Sequence, residues 1–434
     1  MTPVQTDGSR RPDVSGSLDS AENASPVDAV ESVTRSLGVA LGAAAASFLI
    51  ADLSGRALVR LTHVPLRAAS GSSPPAADDE RRVDAESATV LPFDGGPMEQ
   101  AMRGQDVVVR PVAASTLWAV LAPVTERGEA IGLLELVLPF EPGAATVAEI
   151  ARTAHLLAFV IIANRRHTDL FEWGRRTRPF TLAAEIQQRL LPGAYTCEAG
   201  AFTLAAWLEP AAQVAGDVFD YSVERDVLHL SVADAMGHGI ASAMTASICA
   251  ASLRGTRRQG ASLLEQAAAT NAVLVEHGAR AADDGFVTAL VGRIALATGR
   301  LELVNAGHLL PFLARAGDVA PIELAPDLPF GLFAGTVYHS TGCTLEPGDR
   351  LVIVTDGMIE HGAAGYDLQA GIDRTRALHP REMVRILSDD VLEATGQTLG
   401  DDATMLVLDW HGHHVHERSS VSGAYPGRSS EPIS

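Results

Sequence analysis

"SVADAMGHGIASAMTAS", residues 231–247, decides the fold. It reads as a short apolar strand, an acid, a glycine-rich turn and an alanine-rich helix. A glycine-rich turn that opens a helix can cradle a phosphate, whereas an acid at that turn, Asp234, points to a metal. Gly237-His238-Gly239 is a weak phosphate signal, because no lysine follows it as a P-loop requires.

Other acids stand in the same pattern. Upstream, "AAQVAGDVFDYSV" carries Gly216, Asp217 and Asp220. Downstream, "DRLVIVTDGMIEHG" ends the strand 351–355 in Asp356-Gly357, and "LGDDATMLVLDW" sets Asp401-Asp402 ahead of the strand 404–408. Strand side chains alternate faces. Alternation predicts that Asp234 shares a face with Leu228, Leu230 and Val232, that Asp356 shares one with Val352 and Val354, and that Asp401 shares one with Ala403, Met405 and Val407. An aspartate beside a glycine is ordinarily a turn or cap residue. Four acid-bearing strand edges in one unit weaken that reading. A carboxylate continuing an apolar face is costly to desolvate, and several converging carboxylates repel one another. A hard divalent cation, Mg²⁺ or Mn²⁺, relieves both.

The bounds agree with an enzyme-sized soluble chain. At 434 residues, 47% hydrophobic, the protein has room for two or three domains. The net charge of -20, from 33 basic and 53 acidic residues, opposes a nucleic-acid partner. Cys197, Cys249 and Cys343 are widely spaced, with no disulfide framework and no CxxC, which predicts a reducing cytoplasm. The first twenty residues carry no apolar core behind their charges, so no export signal is expected. The apolar runs 37–51 and 156–163 fall short of the ~18 residues a membrane span needs, and no membrane association is expected.

The organisation follows from composition. Residues 1–25 are rich in Ser, Asp, Pro and Gly and are predicted to be disordered. Residues 26–167 alternate helical and strand patterns. "AASFLIADLSGRALVRLTHV" and "STLWAVLAPVTERGEAIGLLELVLPF" each read as strand, turn, strand, and "TVAEIARTAHLLAFVIIANRR" reads as a closing helix. Residues 168–195 form a linker, 196–410 a second domain, and 411–434 a polar tail predicted to be disordered. Four histidines in "HGHHVH" make a tail metal site conceivable, with an unstructured tail the plainer reading. In the linker, Leu182, Ile186 and Leu190 form one helical stripe. Thr181 can cap it, Pro192-Gly193 can stop it, and Gly174 and Pro179 interrupt any continuous rod from the first domain.

The motifs "AAEIQQRLLPG", "VAGDVFDY", "VADAMGHGIASAM", "LVNAGHLLPFL", "DLPFGLF", "LEPGDRLVIVTDGMIE" and "GDDATMLVL" span residues 182–409 in order. Together they resemble the PPM/PP2C-type protein serine/threonine phosphatases, in the bacterial branch that acts on phosphorylated anti-anti-sigma factors. The resemblance implies an α+β chain whose second domain is an α-β-β-α sandwich. It implies two divalent cations, Mn²⁺ or Mg²⁺, whose bridging water attacks the phosphoserine or phosphothreonine phosphorus without a phosphoenzyme. The ligands it implies are Asp217, Asp234, the Ala235 carbonyl, Asp356 and Asp401, with Asp402, where the family tolerates Asn, ranked after Asp401. Asp220, Asn305, His308 and Glu360 match recurrent positions, supporting or structural rather than ligating. His238 follows Asp234 at a spacing two residues longer than the general acid of distant relatives. It is either that acid or a helix-start histidine bonded to backbone.

Residues 26–167 resemble a GAF sensor domain in the order of their elements, which implies a pocket for a small molecule. This region has no cysteine, which opposes a thiol sensor, and its scattered His63, His155 and His167 oppose haem. A homodimer is expected through the linker helix. Two other functions are weighed. One is an inactive phosphoprotein-binding regulator, opposed by the full set of acids. The other is a two-metal nucleotide phosphodiesterase, opposed by the lack of histidine-aspartate ligand pairs.

Overall fold

Two runs of apolar alternation, each broken by a glycine turn, build the first sheet. The computed structural model describes residues 14–66, 89–177, 180–210, 216–281, 285–359, 366–396 and 399–412. The chain divides between Pro179 and Phe180 into two units.

In the first unit, β1 (Ala45–Ala51), β2 (Ala57–Pro65), β3 (Val90–Pro92), β4 (Val108–Pro111), β5 (Trp118–Glu126) and β6 (Glu129–Leu138) form one sheet, ordered β3-β2-β1-β6-β5-β4. Asp52 Oδ1 accepts the backbone N–H groups of Arg56 (2.9 Å) and Ala57 (3.0 Å) and closes the β1–β2 turn. Helices Ala29–Leu41 and Ala144–Asn164 cover one face, burying Val33, Leu37, Leu157 and Ile161 against Phe48 and Leu134. The helix Pro97–Gly104 packs Ala101 and Met102 against Leu49, Leu121 and Leu133. The unit is therefore α/β. Its GAF resemblance rests on the order of elements alone.

Three expectations are corrected here. The helix Val14–Glu22 forms inside the stretch expected to be disordered, held by Ser32 Oγ donating to the Ser20 carbonyl at 2.9 Å. The helix Ala144–Asn164 has 21 residues and includes an 18-residue stretch of mean hydropathy 1.6, so it meets the length and composition of a membrane span. The buried face just described is that of a core helix packed on its own sheet. The linker is not one element. Residues 170–177 belong to the first unit, where Phe171 is buried and Leu53 N–H bonds the Arg175 carbonyl. Gly174 fits there because a Cβ would lie 2.5 Å from Leu61 Cδ2. The helix Leu182–Leu190 belongs to the second unit. Pro179 and the tail beyond residue 412 lie outside the described residues.

The second unit is the expected sandwich. Its strands are β7 (Thr196–Ala199), β8 (Phe202–Glu209), β9 (Asp217–Val223), β10 (Val227–Ala235), β11 (Val287–Ala295), β12 (Arg300–Ala306), β13 (Phe312–Arg315), β14 (Asp318–Pro321), β15 (Ser340–Thr344), β16 (Arg350–Val354) and β17 (Ala403–Trp410). One antiparallel sheet runs β15-β12-β11-β10-β9 and the other β14-β13-β16-β17-β8-β7. Leu230, Val232, Leu290, Ile353 and Leu406 share the core that joins the two sheets. Helices Gly239–Arg258 and Leu263–Ala281 pack on the first sheet, burying Ala246, Cys249 and Leu274. Helices Leu368–Thr375 and Pro380–Ala394 pack on the second, burying Ile372 and Leu387 against Val352, Val354, Met405 and Val407.

Candidate active site

The antiparallel register of β9 and β10 sets Asp217 directly opposite Asp234. Paired residues project from one face, so the two carboxylates stand side by side at the end of the first sheet. Asp217 is 1% exposed. The second sheet grips it: Thr355 Oγ1 donates to Asp217 Oδ2 at 2.7 Å, and Thr404 Oγ1 donates to the same oxygen at 2.6 Å. Thr404 N–H in turn bonds Thr355 Oγ1 at 2.9 Å, so β17 and the end of β16 hold the acid as one clamp.

Asp402 completes the buried cluster. Its Oδ2 accepts Gln187 Nε2 at 2.6 Å, Gly216 N–H at 3.0 Å and Asp217 N–H at 3.4 Å. Burial, and then the charges of Asp234 and Asp402, push the Asp217 carboxyl well above the usual carboxylate range, against the lowering effect of the two threonines. The segments 216–222, 234–240, 355–359 and 399–405 contain no arginine or lysine.

Two glycines permit the close approach. A Cβ on Gly216 would lie 2.5 Å from the Ala235 carbonyl oxygen, and one on Gly357 would lie 2.0 Å from that of Asp402. The second contact seats the half-buried Asp356, at the start of the single turn Asp356–Met358, beside the Asp402 backbone. The Ala235 carbonyl accepts Ser242 Oγ at 3.0 Å.

Among the described residues, no three or more His, Cys, Asp or Glu side chains converge as a ready-made metal site. The chemistry of the donor set nevertheless fits a hard divalent cation. Asp217, Asp234 and Asp402 are acidic oxygen donors held in mutual repulsion, and their own segments offer no counter-cation.

Asp401 and Asp402 stand in different surroundings. Residues 403, 405 and 407 face the outer helices, while Thr404, Leu406 and Leu408 face the first sheet. By the same period of two, Asp402 continues the inner face and Asp401 the outer. Asp401 is exposed, and its Oδ1 accepts the Asp402 N–H at 2.8 Å. His238 is also exposed, between Gly237 and Gly239, both at positive φ. It occupies the cap position of the helix without a capping hydrogen bond from its side chain, so the backbone-bonded reading of it is not what the structure has.

The remaining matched positions support the frame. Asp220 accepts Arg254 (2.8 Å) and Arg257 (3.0 Å), tying β9 to the helix Gly239–Arg258. Asn305 closes a tight turn, accepting His308 N–H at 2.6 Å and donating to its carbonyl at 2.9 Å. His308 Nδ1 pairs with Thr288 Oγ1 at 3.0 Å, and Thr288 is the register partner of Asp234. Glu360 lies outside the described residues.

Burial lowers the His308 imidazole to about 4. Because the folded value lies below the unfolded one, stability is lost as pH falls through the unfolded value near 6.5 toward 4. His308 should cost the wild type about 1.4 kcal/mol at pH 5.5 relative to pH 7.5. Urea unfolding of wild type and His308→Gln at the two pH values isolates this loss. Parallel pH dependence would refute it.

Gln187 is the residue that sequence reasoning missed. The helix Leu182–Leu190 has the expected Thr181 cap, with Thr181 Oγ1 accepting Ala184 N–H at 3.2 Å. Its buried residues are Ala183, Ala184 and Gln187, whereas Leu182 of the expected stripe is 63% exposed. The alanines let the helix approach Ala243 closely. Gln187 then reaches the Asp217 carbonyl (2.9 Å) as well as Asp402. A glutamine four residues after a small residue on a short capped helix was the available signal.

Residues 224–411 match the family model described as Stage II sporulation protein E (SpoIIE). The chain is 27% identical over 233 residues to the phosphoserine phosphatase RsbU of Bacillus subtilis, covering 52% of this chain and 68% of RsbU. Among solved structures, the RsbU and RsbW domains of Rv1364c from Mycobacterium tuberculosis are 24% identical, with TM-score 0.43, covering 49% of this chain and 61% of that one. The PP2C phosphatase domain of SpoIIE from Bacillus subtilis, with a fragment of its regulatory domain, is 19% identical, with TM-score 0.42, covering 49% and 64%. The chain thus spans about three-fifths of the length of these two. The similarity to the SpoIIE model lies within the second unit, and the similarity to RsbU extends over about half of the chain.

Proposed function

We propose that the protein is a metal-dependent serine/threonine phosphatase that dephosphorylates an anti-anti-sigma regulator of the STAS type. The proposal includes control by the first unit as sensor of a small molecule, a cytoplasmic setting and a homodimer. The observation that carries it is the buried Asp217 carboxylate, paired in register with Asp234, flanked by Asp402 and gripped by two threonines.

Asp217, Asp234, Asp356 and Asp402 would hold the cations, with Asp401 and the Ala235 carbonyl at the margin. When bound, divalent cations supply charge neutralisation and a water of lowered pKa. The protein's part is positioning. Thr355 and Thr404 fix the Asp217 oxygen, and Gln187 fixes Asp402. His238, free to turn toward substrate, donates a proton to the departing serine or threonine oxygen.

The test of the whole reading is Mn²⁺-dependent release of inorganic phosphate from phosphorylated anti-anti-sigma proteins of the same organism. Absence of release, with a generic aryl phosphate also untouched, would refute it. For His238, replacement by alanine should slow an alkyl phosphate monoester about a hundredfold and an aryl phosphate far less, since a good leaving group needs little protonation. Equal losses on both would remove the proton-donor role.

A further inference from the structure

The rim of this site carries apolar side chains in an arrangement that the reaction does not require. Phe333 and Val337 are 58% and 71% exposed, and Leu328 and Leu332 beside them are exposed too. They belong to a loop that is pinned in place. Phe330 is fully buried as its plug, with its ring 5.2 Å from that of Tyr338. Asn271 accepts Gly331 N–H and donates to the Phe333 carbonyl, both at 2.9 Å. Asp327 accepts His339 N–H at 2.6 Å across the loop's base. An exposed apolar loop held this firmly presents a surface rather than avoiding one.

Backbone bonds tie the loop to β11, the strand that pairs with the end of β10 beside Asp234. Phe330 exchanges both backbone hydrogen bonds with Val287, the register partner of Ala235. The preceding residue, Phe286, accepts the N–H of Met236, two residues after Asp234. Met236, Ile240 and Met244, four residues apart, are each about half exposed and extend the apolar rim along the helix Gly239–Arg258. Residues 328–338 include no Asp, Glu, Arg, Lys or His, and residues 236–249 include only His238, in a chain of net charge -20.

We infer that the Phe333 loop and the Met236–Met244 stripe together form the docking surface for the folded phosphoprotein substrate, meeting an apolar patch beside its phosphoserine or phosphothreonine. The inference rests on the phosphatase reading. The side chains of the site's segments offer the rest of the substrate no charge attraction: they are acidic and lack arginine and lysine, so on that reading only the cations would attract, and only the phosphate. Affinity beyond the phosphate must therefore come from uncharged contact, and the backbone bonds to the strand that pairs with the one carrying Asp234 set that contact near the site. A permanent occupant, such as a second copy, would obstruct access to Asp234.

The test compares Phe333→Asp and Val337→Asp with wild type in the full-length chain. The substrates are a phosphorylated anti-anti-sigma protein, a phosphopeptide with the same phosphosite, and p-nitrophenyl phosphate. Both variants should raise KM for the phosphoprotein about tenfold or more, leave the phosphopeptide and p-nitrophenyl phosphate within about twofold, and keep the wild-type melting temperature. Equal losses on all three substrates would overturn the inference, as would an unchanged phosphoprotein KM. A changed sedimentation coefficient with unchanged phosphoprotein KM would instead identify a self-association face. A wild type inactive on every substrate would refute the phosphatase reading itself, an outcome distinct from these.

Discussion

Asp234→Asn should lower Mn²⁺-dependent turnover about a thousandfold or more while leaving the fold in place. Asp234 is only half-buried at the end of β10, and its strand is held by Leu230 and Val232 in the core between the sheets. Amide for carboxylate removes one negative donor and exchanges one oxygen for an NH2 group of similar size. The core is untouched. Turnover on an aryl phosphate across a Mn²⁺ titration, with a melting curve of each protein, checks this. A variant that keeps near wild-type turnover would contradict the assignment.

The second large effect is at Gln187. Replacing it by leucine keeps the volume but removes two donated hydrogen bonds, to the Asp217 carbonyl and to Asp402 Oδ2. Asp402 then loses a buried donor while retaining its repulsion with Asp217, and leaving a buried charged acceptor short of donors is costly. Groups that orient ligating carboxylates this way are worth about 10- to 100-fold in activity or metal affinity. Gln187→Leu should therefore weaken Mn²⁺ activation by that factor, with a smaller loss at saturating Mn²⁺. This split separates positioning from general damage. An unchanged Mn²⁺ dependence would make the helix Leu182–Leu190 a tether only.

Much of this was legible in the sequence, and the misses have physical causes. The hairpins β1–β2 and β5–β6 followed from glycine turns between apolar segments, at Gly55 and at Arg127-Gly128. The pairing of Asp217 with Asp234 was foreshadowed by acids at the edges of two strands. Alternation placed Leu228, Leu230, Val232 and Asp234 correctly on one inner face. It also grouped Asp401 with Ala403, Met405 and Val407, but it could not say which face looks inward, because β17 is buried on both faces. The Thr404 hydroxyl bond to Asp217 on the first sheet is what marks the inner face. The stripe on the linker helix held in part: Ile186 and Leu190 pack on apolar clusters, while Leu182 is exposed. Leucine spacing suggested the buried face, yet the small Ala183 and Ala184 allow closer packing, and a buried glutamine with two acceptors repays its desolvation.

The most direct measurement of the central claim is the thermal stability of wild type and Asp217→Asn in chelator and in Mn²⁺ at pH 7.5. Without metal, the raised pKa of Asp217 means that its ionisation weakens the fold as pH rises above the unfolded value, so the uncharged asparagine should melt at a higher temperature than wild type. With Mn²⁺ the order should narrow or reverse, because only the wild type gains the full stabilisation of a bound cation. Equal Mn²⁺ shifts in both proteins, or a wild type that Mn²⁺ does not stabilise, would contradict a metal-binding carboxylate cluster at Asp217.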